Sequence, residues 1–201
     1  MPEAIIPITS IAGSELILGG QKSGKSRRAE LLARQWLQAD VAHRAVLIAT
    51  GQAWDAEMAE RIARHQADRA LRAPGLATVE EPLALADAIA RHSRPETLVV
   101  VDCLTLWLTN RLMPAQPNVA MSAGDDNRTA ELIDAIHAAP GPVVLVGNEI
   151  GLGVIPMGRE VRAFVDALGR LNQQVAAACS RVTLMAAGLP LTLKDEARDA
   201  I

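Results

Sequence analysis

Short apolar runs alternate along this chain with longer stretches in which apolar residues recur every three or four positions. The runs 15–18, 44–50, 97–102, 142–147 and 181–186 are nearly continuous in Leu, Ile, Val and Ala. Such runs predict strands covered on both faces. Between the first two, Ala29, Leu32, Ala33, Trp36 and Leu37 stand at i, i+3, i+4, i+7 and i+8, one stripe of a helix. Val161, Val165, Leu168 and Val175 mark a second long helix, and 84–91 a short one. Strands alternating in this way with helices predict an α/β domain with a mainly parallel sheet. Residues 15–201 read as that one domain, with 1–14 a loose leader before the first strand. The stretch 114–127, with two prolines and Gly124-Asp125-Asp126-Asn127, reads as a long loop, either a surface excursion or a lid.

Composition narrows the function classes. A chain of 201 residues is long enough to bury one good-sized core. Its 20 basic and 23 acidic side chains are interspersed, so no basic stripe is available to neutralise a nucleic-acid backbone. Aromatic residues are 2% of the chain, which argues against a base-stacking surface. No eighteen-residue uncharged apolar run occurs, so no membrane span is expected. The first fourteen residues lack the basic and apolar regions of a signal peptide. Two cysteines, Cys103 and Cys179, are too few for a disulfide framework, and a cytoplasmic location is expected.

The strongest chemical signal follows the first strand. Gly19-Gly20-Gln21-Lys22-Ser23-Gly24-Lys25-Ser26 matches G-x-x-x-x-G-K-[ST] at every fixed position. Glycines let such a loop curl so that its N–H groups point at phosphate oxygens. Lys25 then reaches the β- and γ-phosphates, and Ser26 ligates Mg²⁺. The helix behind it adds the positive end of its dipole. A P-loop also needs a carboxylate near the magnesium, at the end of a neighbouring strand. Asp102 closes the third apolar run and is the first candidate; Glu149, after the fourth, is the second.

These residues leave kinases, ATPases and GTPases open. Two further segments narrow the choice: Val101-Asp102-Cys103-Leu104-Thr105-Leu106-Trp107-Leu108-Thr109-Asn110, and Gly147-Asn148-Glu149-Ile150-Gly151-Leu152-Gly153-Val154-Ile155-Pro156-Met157-Gly158-Arg159. Gly169-Arg170-Leu171-Asn172-Gln173 continues the second. With the phosphate loop, they resemble the signatures of the bifunctional adenosylcobinamide kinase/adenosylcobinamide-phosphate guanylyltransferases, over about residues 16–193. The resemblance implies a P-loop NTPase-like fold and the assembly of the cobalamin nucleotide loop. Adenosylcobinamide is phosphorylated with ATP or GTP, and GMP then passes from GTP to adenosylcobinamide phosphate through a guanylylated histidine. It further implies a homo-oligomer, with a trimer as the expectation.

The family's histidine falls in a segment like 57–65, which makes His65 the implied nucleophile, with Lys25 as the second catalytic residue. Ala49, Thr50 and Gly51 match a nucleotide-contacting turn, Arg69 and Asp102 complete the implied nucleotide site, and Glu80 matches a guanosine-contacting carboxylate. Glu81 leaves the register of that last match open. The chain departs from the family after the histidine helix, reading Arg69-Ala70 and then Gly75-Leu76-Ala77 where an Arg-Pro and a Gly-Trp-Arg are usual.

The helical wheel agrees independently. Arg61, His65, Arg69 and Arg72 fall within about 80° at about 100° per residue, which would gather cations around one imidazole. Cations favour the neutral, nucleophilic imidazole and suit a bound triphosphate. The same residues also fit a solvated Arg/Glu-rich face with an incidental histidine. His43, His92 and His137 read as structural or surface groups, Cys103 as packed, and Trp107 as lining a corrinoid site or filling the core. Two rival readings keep the P-loop: a simple small-molecule kinase that makes no use of His65, and a nucleotide-dependent regulatory protein.

Overall fold

Every one of the five apolar runs forms a strand, and each strand lies within a sheet of seven. The computed structural model describes residues 10–113 and 125–199. In chain order the elements begin with β1 (Ser14–Gly19), α1 (Lys25–Ala39), β2 (Arg44–Ala49), α2 (Ala56–Arg72) and β3 (Leu76–Glu80). They continue with α3 (Leu85–His92), β4 (Thr97–Asp102), α4 (Leu104–Leu112), α5 (Asp125–Ala138) and β5 (Val143–Val146). Last come α6 (Arg159–Ala178), β6 (Arg181–Ala186), β7 (Leu189–Asp195) and the short α7 (Glu196–Asp199).

The strand order is β3-β2-β4-β5-β1-β6-β7, parallel throughout except for β7, which runs antiparallel to β6. Alternation along β1 explains why the runs are apolar on both faces. Ile17 packs toward α1 with Leu32, Leu47, Val100 and Val144. Leu16 and Leu18 pack toward the other layer with Leu104, Leu132, Leu168 and Val175. Both layers exclude water from the central strands, so a polar side chain there needs a partner, as buried Glu15 of β1 has in Arg28 at 2.9 Å and Thr183 at 2.8 Å.

The two strands outside the apolar runs are the edges. On β3, Ala77, Thr78 and Glu80 are exposed; on β7, Leu189, Leu191 and Leu193 are. An edge strand has one neighbour and one partly solvated side, so its sequence carries a weaker signature. Within the expected loop 114–127, residues 114–124 lie outside the described residues. Asp125–Asn127 open α5, so the helix begins inside that stretch. Tertiary burial carries α5: Leu132 and Ile136 enter the core beside Ile89 of α3. Of the leader, Ser10 accepts hydrogen bonds from Arg181 at its carbonyl (2.7 Å) and hydroxyl (3.0 Å), and the Gly13 carbonyl accepts from Val143 N–H at 3.0 Å.

Candidate active site

The phosphate loop joins the carboxyl end of β1 to α1. Gly19 has φ +153°, and a Cβ there would lie 2.5 Å from the Met185 carbonyl oxygen and 2.6 Å from Ser23 Oγ. Gly24, at φ +99°, turns the chain into α1 through a conformation that L side chains rarely adopt. Gln21 and Lys22 form the exposed tip. The loop is held from both sides. Glu149 N–H donates to Gly19 O at 3.0 Å, and Gly188 N–H, from the β6–β7 turn, donates to Ser23 O at 3.1 Å.

Lys25 is 7% exposed, with its ammonium inside the curve of the loop. It donates to Gly20 O at 2.6 Å and to Ser23 Oγ at 3.5 Å. Burial holds this lysine below the ordinary range; Cys103 and Asp102 push the other way, and Arg61 of α2 lowers it further. Asp102 therefore stands close enough to stabilise the Lys25 charge, at the end of β4. Ser26 is half-buried in the first turn of α1, whose leading N–H groups lack intrahelical partners and suit an anion.

One cross-sheet row carries the candidate site. Glu80 is in register with Ala49, Ala49 with Asp102, Asp102 with Val146, and Val146 with Ile17. Glu80, Ala49 and Asp102 thus share the carboxyl edge from which the P-loop springs. The structure also separates the two adjacent glutamates. Glu81 Oε1 accepts from Leu83 N–H at 3.0 Å and Ala84 N–H at 2.8 Å, tying it to the start of α3, whereas Glu80 is exposed at the sheet edge.

In the Ala49-Thr50-Gly51 turn, the Thr50 side chain is wholly engaged within the protein. Its hydroxyl donates to Cys103 O at 2.7 Å and accepts from Cys103 N–H at 2.8 Å, and its carbonyl accepts from Asn110 Nδ2 at 2.7 Å. Thr50 thus locks the end of β2 to the start of α4, and its hydroxyl is taken up within the protein. Replacing Thr50 with valine keeps the shape and leaves the buried Cys103 N–H without its acceptor, while the Cys103 carbonyl still accepts from Trp107 N–H at 3.1 Å. At about 1–3 kcal/mol for one unsatisfied group, calorimetry should show a fall in the unfolding midpoint of roughly 2–12 °C at this chain length.

Helix α2 is mostly exposed, but its half-buried and buried positions form one stripe: Met58, Ile62, His65, Asp68, Arg69 and Arg72. His65 lies on this inward stripe and not on the solvated face. The expected four-cation cluster is divided, however. Arg69, 8% exposed, donates to Thr78 Oγ1 at 2.9 Å and has Nε 3.9 Å from Glu30 Oε1. Arg72 pairs with Glu30 at 2.9 Å and Asp68 at 3.1 Å. Glu30 projects from α1 and is 2% exposed; burial raises its carboxyl pKa, and the two arginines draw it back. A wheel drawn on α2 alone contains no Glu30. Arg61, one turn before His65, is the exposed cation that acts on Lys25.

The remaining candidates sort clearly. Trp107 is buried and donates from Nε1 to Leu83 O at 2.9 Å, so it fills the core. His43 stacks on Trp36 with centroids 3.7 Å apart, while His92 and His137 occupy the last turns of α3 and α5. Burial pushes both cysteine thiols up to about 12, leaving them inert. Asn172, which the sequence places in a family-like segment without a role, stands beside Leu168, Leu171 and Val175 on the buried stripe of α6. A polar residue interrupting an apolar stripe was the available signal. Its Nδ2 donates to Asn148 O at 3.0 Å, whereas its buried Oδ1 has no partner.

Among known proteins, the family model described as cobinamide kinase/cobinamide phosphate guanyltransferase matches residues 15–193. The bifunctional adenosylcobalamin biosynthesis protein CobP of Pseudomonas aeruginosa is 45% identical over 182 residues, 90% of this chain and 98% of that protein. The corresponding CobU proteins of Escherichia coli and Salmonella typhimurium are 37% and 36% identical over 187 residues, each covering 89% of this chain and 98% of the relative. Similar solved structures include the flagellar accessory protein FlaH of Methanocaldococcus jannaschii, at 13% identity and TM-score 0.52, covering 92% of this chain and 80% of that one. A Pyrococcus horikoshii OT3 protein matches at 9% identity and TM-score 0.53, covering 92% and 88%. These two show the shared α/β fold.

Proposed function

Because the chain belongs to the cobinamide kinase/cobinamide phosphate guanyltransferase family, a family of transferases, we propose that its single phosphate loop serves two successive transfers. In the first, the hydroxyl of adenosylcobinamide attacks the γ-phosphorus of ATP or GTP. A new O–P bond forms, the bond to the bridging oxygen breaks, and the nucleoside diphosphate leaves with its charge offset by Lys25. In the second, a neutral nitrogen of His65 attacks the α-phosphorus of GTP and pyrophosphate leaves. Adenosylcobinamide phosphate then takes GMP from the histidine, giving adenosylcobinamide-GDP and freeing the imidazole.

The observation that carries this reading is the placement of Lys25 and Asp102. An ammonium is enclosed by a glycine-shaped loop, with a carboxylate beside it at the end of β4. Burial makes the ammonium charge more effective on phosphate than it would be in water. Two observations support His65 as the nucleophile: it lies on the inward stripe of α2, and Arg61, one turn before it, acts on Lys25. Gly20, Gln21, Lys22 and Ser23 would wrap the phosphates, while Ala49, Gly51 and Glu80, along β2 and β3, would meet the nucleoside. Incubation with GTP, followed by intact-mass measurement, should show a gain of one GMP per chain. An unmodified chain that still phosphorylates cobinamide would leave only the kinase reading.

Ser26 and Asp102 are the oxygen donors that suit Mg²⁺. Among the described residues there is no cluster of three or more His, Cys, Asp or Glu side chains that could hold a metal. That fits a hard cation that keeps several waters and shares the substrate's phosphates. When bound, the ion would supply charge neutralisation to the phosphates. Asp102→Asn keeps the size and removes the charge, so turnover should fall and the magnesium concentration for half-maximal rate should rise, by about tenfold or more. An unchanged magnesium response would move the role to Glu149.

No described helix is long and apolar enough to cross a membrane. Cytoplasmic location and assembly as a homotrimer complete the reading, with light scattering the test of the second.

A further inference from the structure

A groove of about 640 Å³ lies beside α6 and β7, next to the phosphate loop. Leu18, Leu152 and Leu193 give it apolar walls, and Gly169 and Ala176 of α6 keep it open. Four polar side chains interrupt this surface: Glu149, Asn172, Gln173 and Lys194, the last with its ammonium engaged by Cys179 O at 2.6 Å and Glu196 at 3.0 Å. Asn172 is 4% exposed, and its Oδ1 is a buried acceptor without a hydrogen-bond partner. A buried amide oxygen left unpaired is costly unless a ligand or water supplies an N–H or O–H.

We propose that this groove binds the corrinoid acceptor, with Asn172, Gln173 and Glu149 meeting its carboxamide edge. The inference rests on the two-transfer reading above, and three observations carry it. An apolar macrocycle fringed with primary carboxamides matches leucine walls broken by amide and carboxylate acceptors. The groove also adjoins the phosphate loop directly, because Glu149, one of its lining residues, donates its N–H to Gly19 O at 3.0 Å. Topology supplies the third. The nucleoside candidates Ala49 and Glu80 lie on β2 and β3, on one side of β1, whereas Val182 and Leu193 of the groove lie on β6 and β7, on the other. Donor and acceptor thus approach the phosphate loop from opposite sides, the arrangement that in-line phosphoryl transfer needs.

Gly169 permits a direct test, because a Cβ there meets nothing within 4 Å. Gly169→Phe should project into the groove without disturbing the core. Equilibrium dialysis of adenosylcobinamide, followed by corrin absorbance, should show its Kd rise about tenfold or more, while GMP-adduct formation with GTP stays at the wild-type level. Gln173→Leu changes an exposed position and should weaken corrinoid binding severalfold, again without affecting the adduct. Wild-type corrinoid affinity in both variants would overturn the groove assignment and leave the two-transfer reading intact. A wild-type chain that binds no adenosylcobinamide would overturn both.

Discussion

Lys25→Ala should abolish both transfers while leaving a folded protein. The lysine is buried within the loop, where its ammonium donates to Gly20 O and Ser23 Oγ. Loss of one preorganised donor to a developing phosphate charge costs about 10²–10³ in rate, or about 3–4 kcal/mol. Since one ammonium serves both reactions, both rates should fall by at least that much. Stability should move the other way in the nucleotide-free protein. Burial lowers the folded-state pKa of Lys25 below its unfolded value, so the cost of burying the charge is present in full below the folded pKa. That cost is relieved as pH rises through it. Alanine removes the cost, and the unfolding midpoint of the variant should be no lower than that of the wild type wherever Lys25 is charged. The midpoint should also stop responding to added GTP. Near-normal guanylylation in this variant would mean that the phosphate loop is not the shared triphosphate site.

His65→Ala should split the two chemistries. The variant should form no GMP adduct and transfer no GMP, a loss of about 10³-fold or more, because nothing replaces a missing covalent nucleophile. Phosphorylation of cobinamide needs the loop, the metal and a positioned hydroxyl, so it should persist at least in part. The adduct on the wild-type chain should break down in acid and survive alkali, as a nitrogen–phosphorus bond requires. Adduct retained in the variant would sink the assignment and point to a lysine or another histidine. Loss of both activities in a folded variant would show that His65 and Arg61 position the triphosphate for each reaction. Because Arg69 and Arg72 are paired with Glu30, substituting either should disturb the seating of α2 before it disturbs phosphate binding.

The sequence by itself determined the central strands, the α/β class and the phosphate loop. Each is a local property. A strand buried on both faces must be apolar at every position, as in 97–102 and 142–147, and eight consecutive residues from Gly19 to Ser26 carry the loop's chemistry. The family-like segment singled out His65, and the structure sets it on the inward stripe of α2. The tertiary structure decided what depends on residues far apart in the chain. β3 and β7 are strands because neighbours pair with them, not because their sequences run apolar. α5 starts inside a loop-like string because Leu132 and Ile136 find a core to enter. Arg69 and Arg72 left the expected phosphate cluster because Glu30, some forty residues away in the chain, reaches them from α1. Thr50 turned its hydroxyl to Cys103, and Asn172 came to line a groove with Leu18 and Leu193. Periodicity reports which way a side chain faces on its own element. Which charge or unpaired carbonyl it meets there is fixed only when the elements pack.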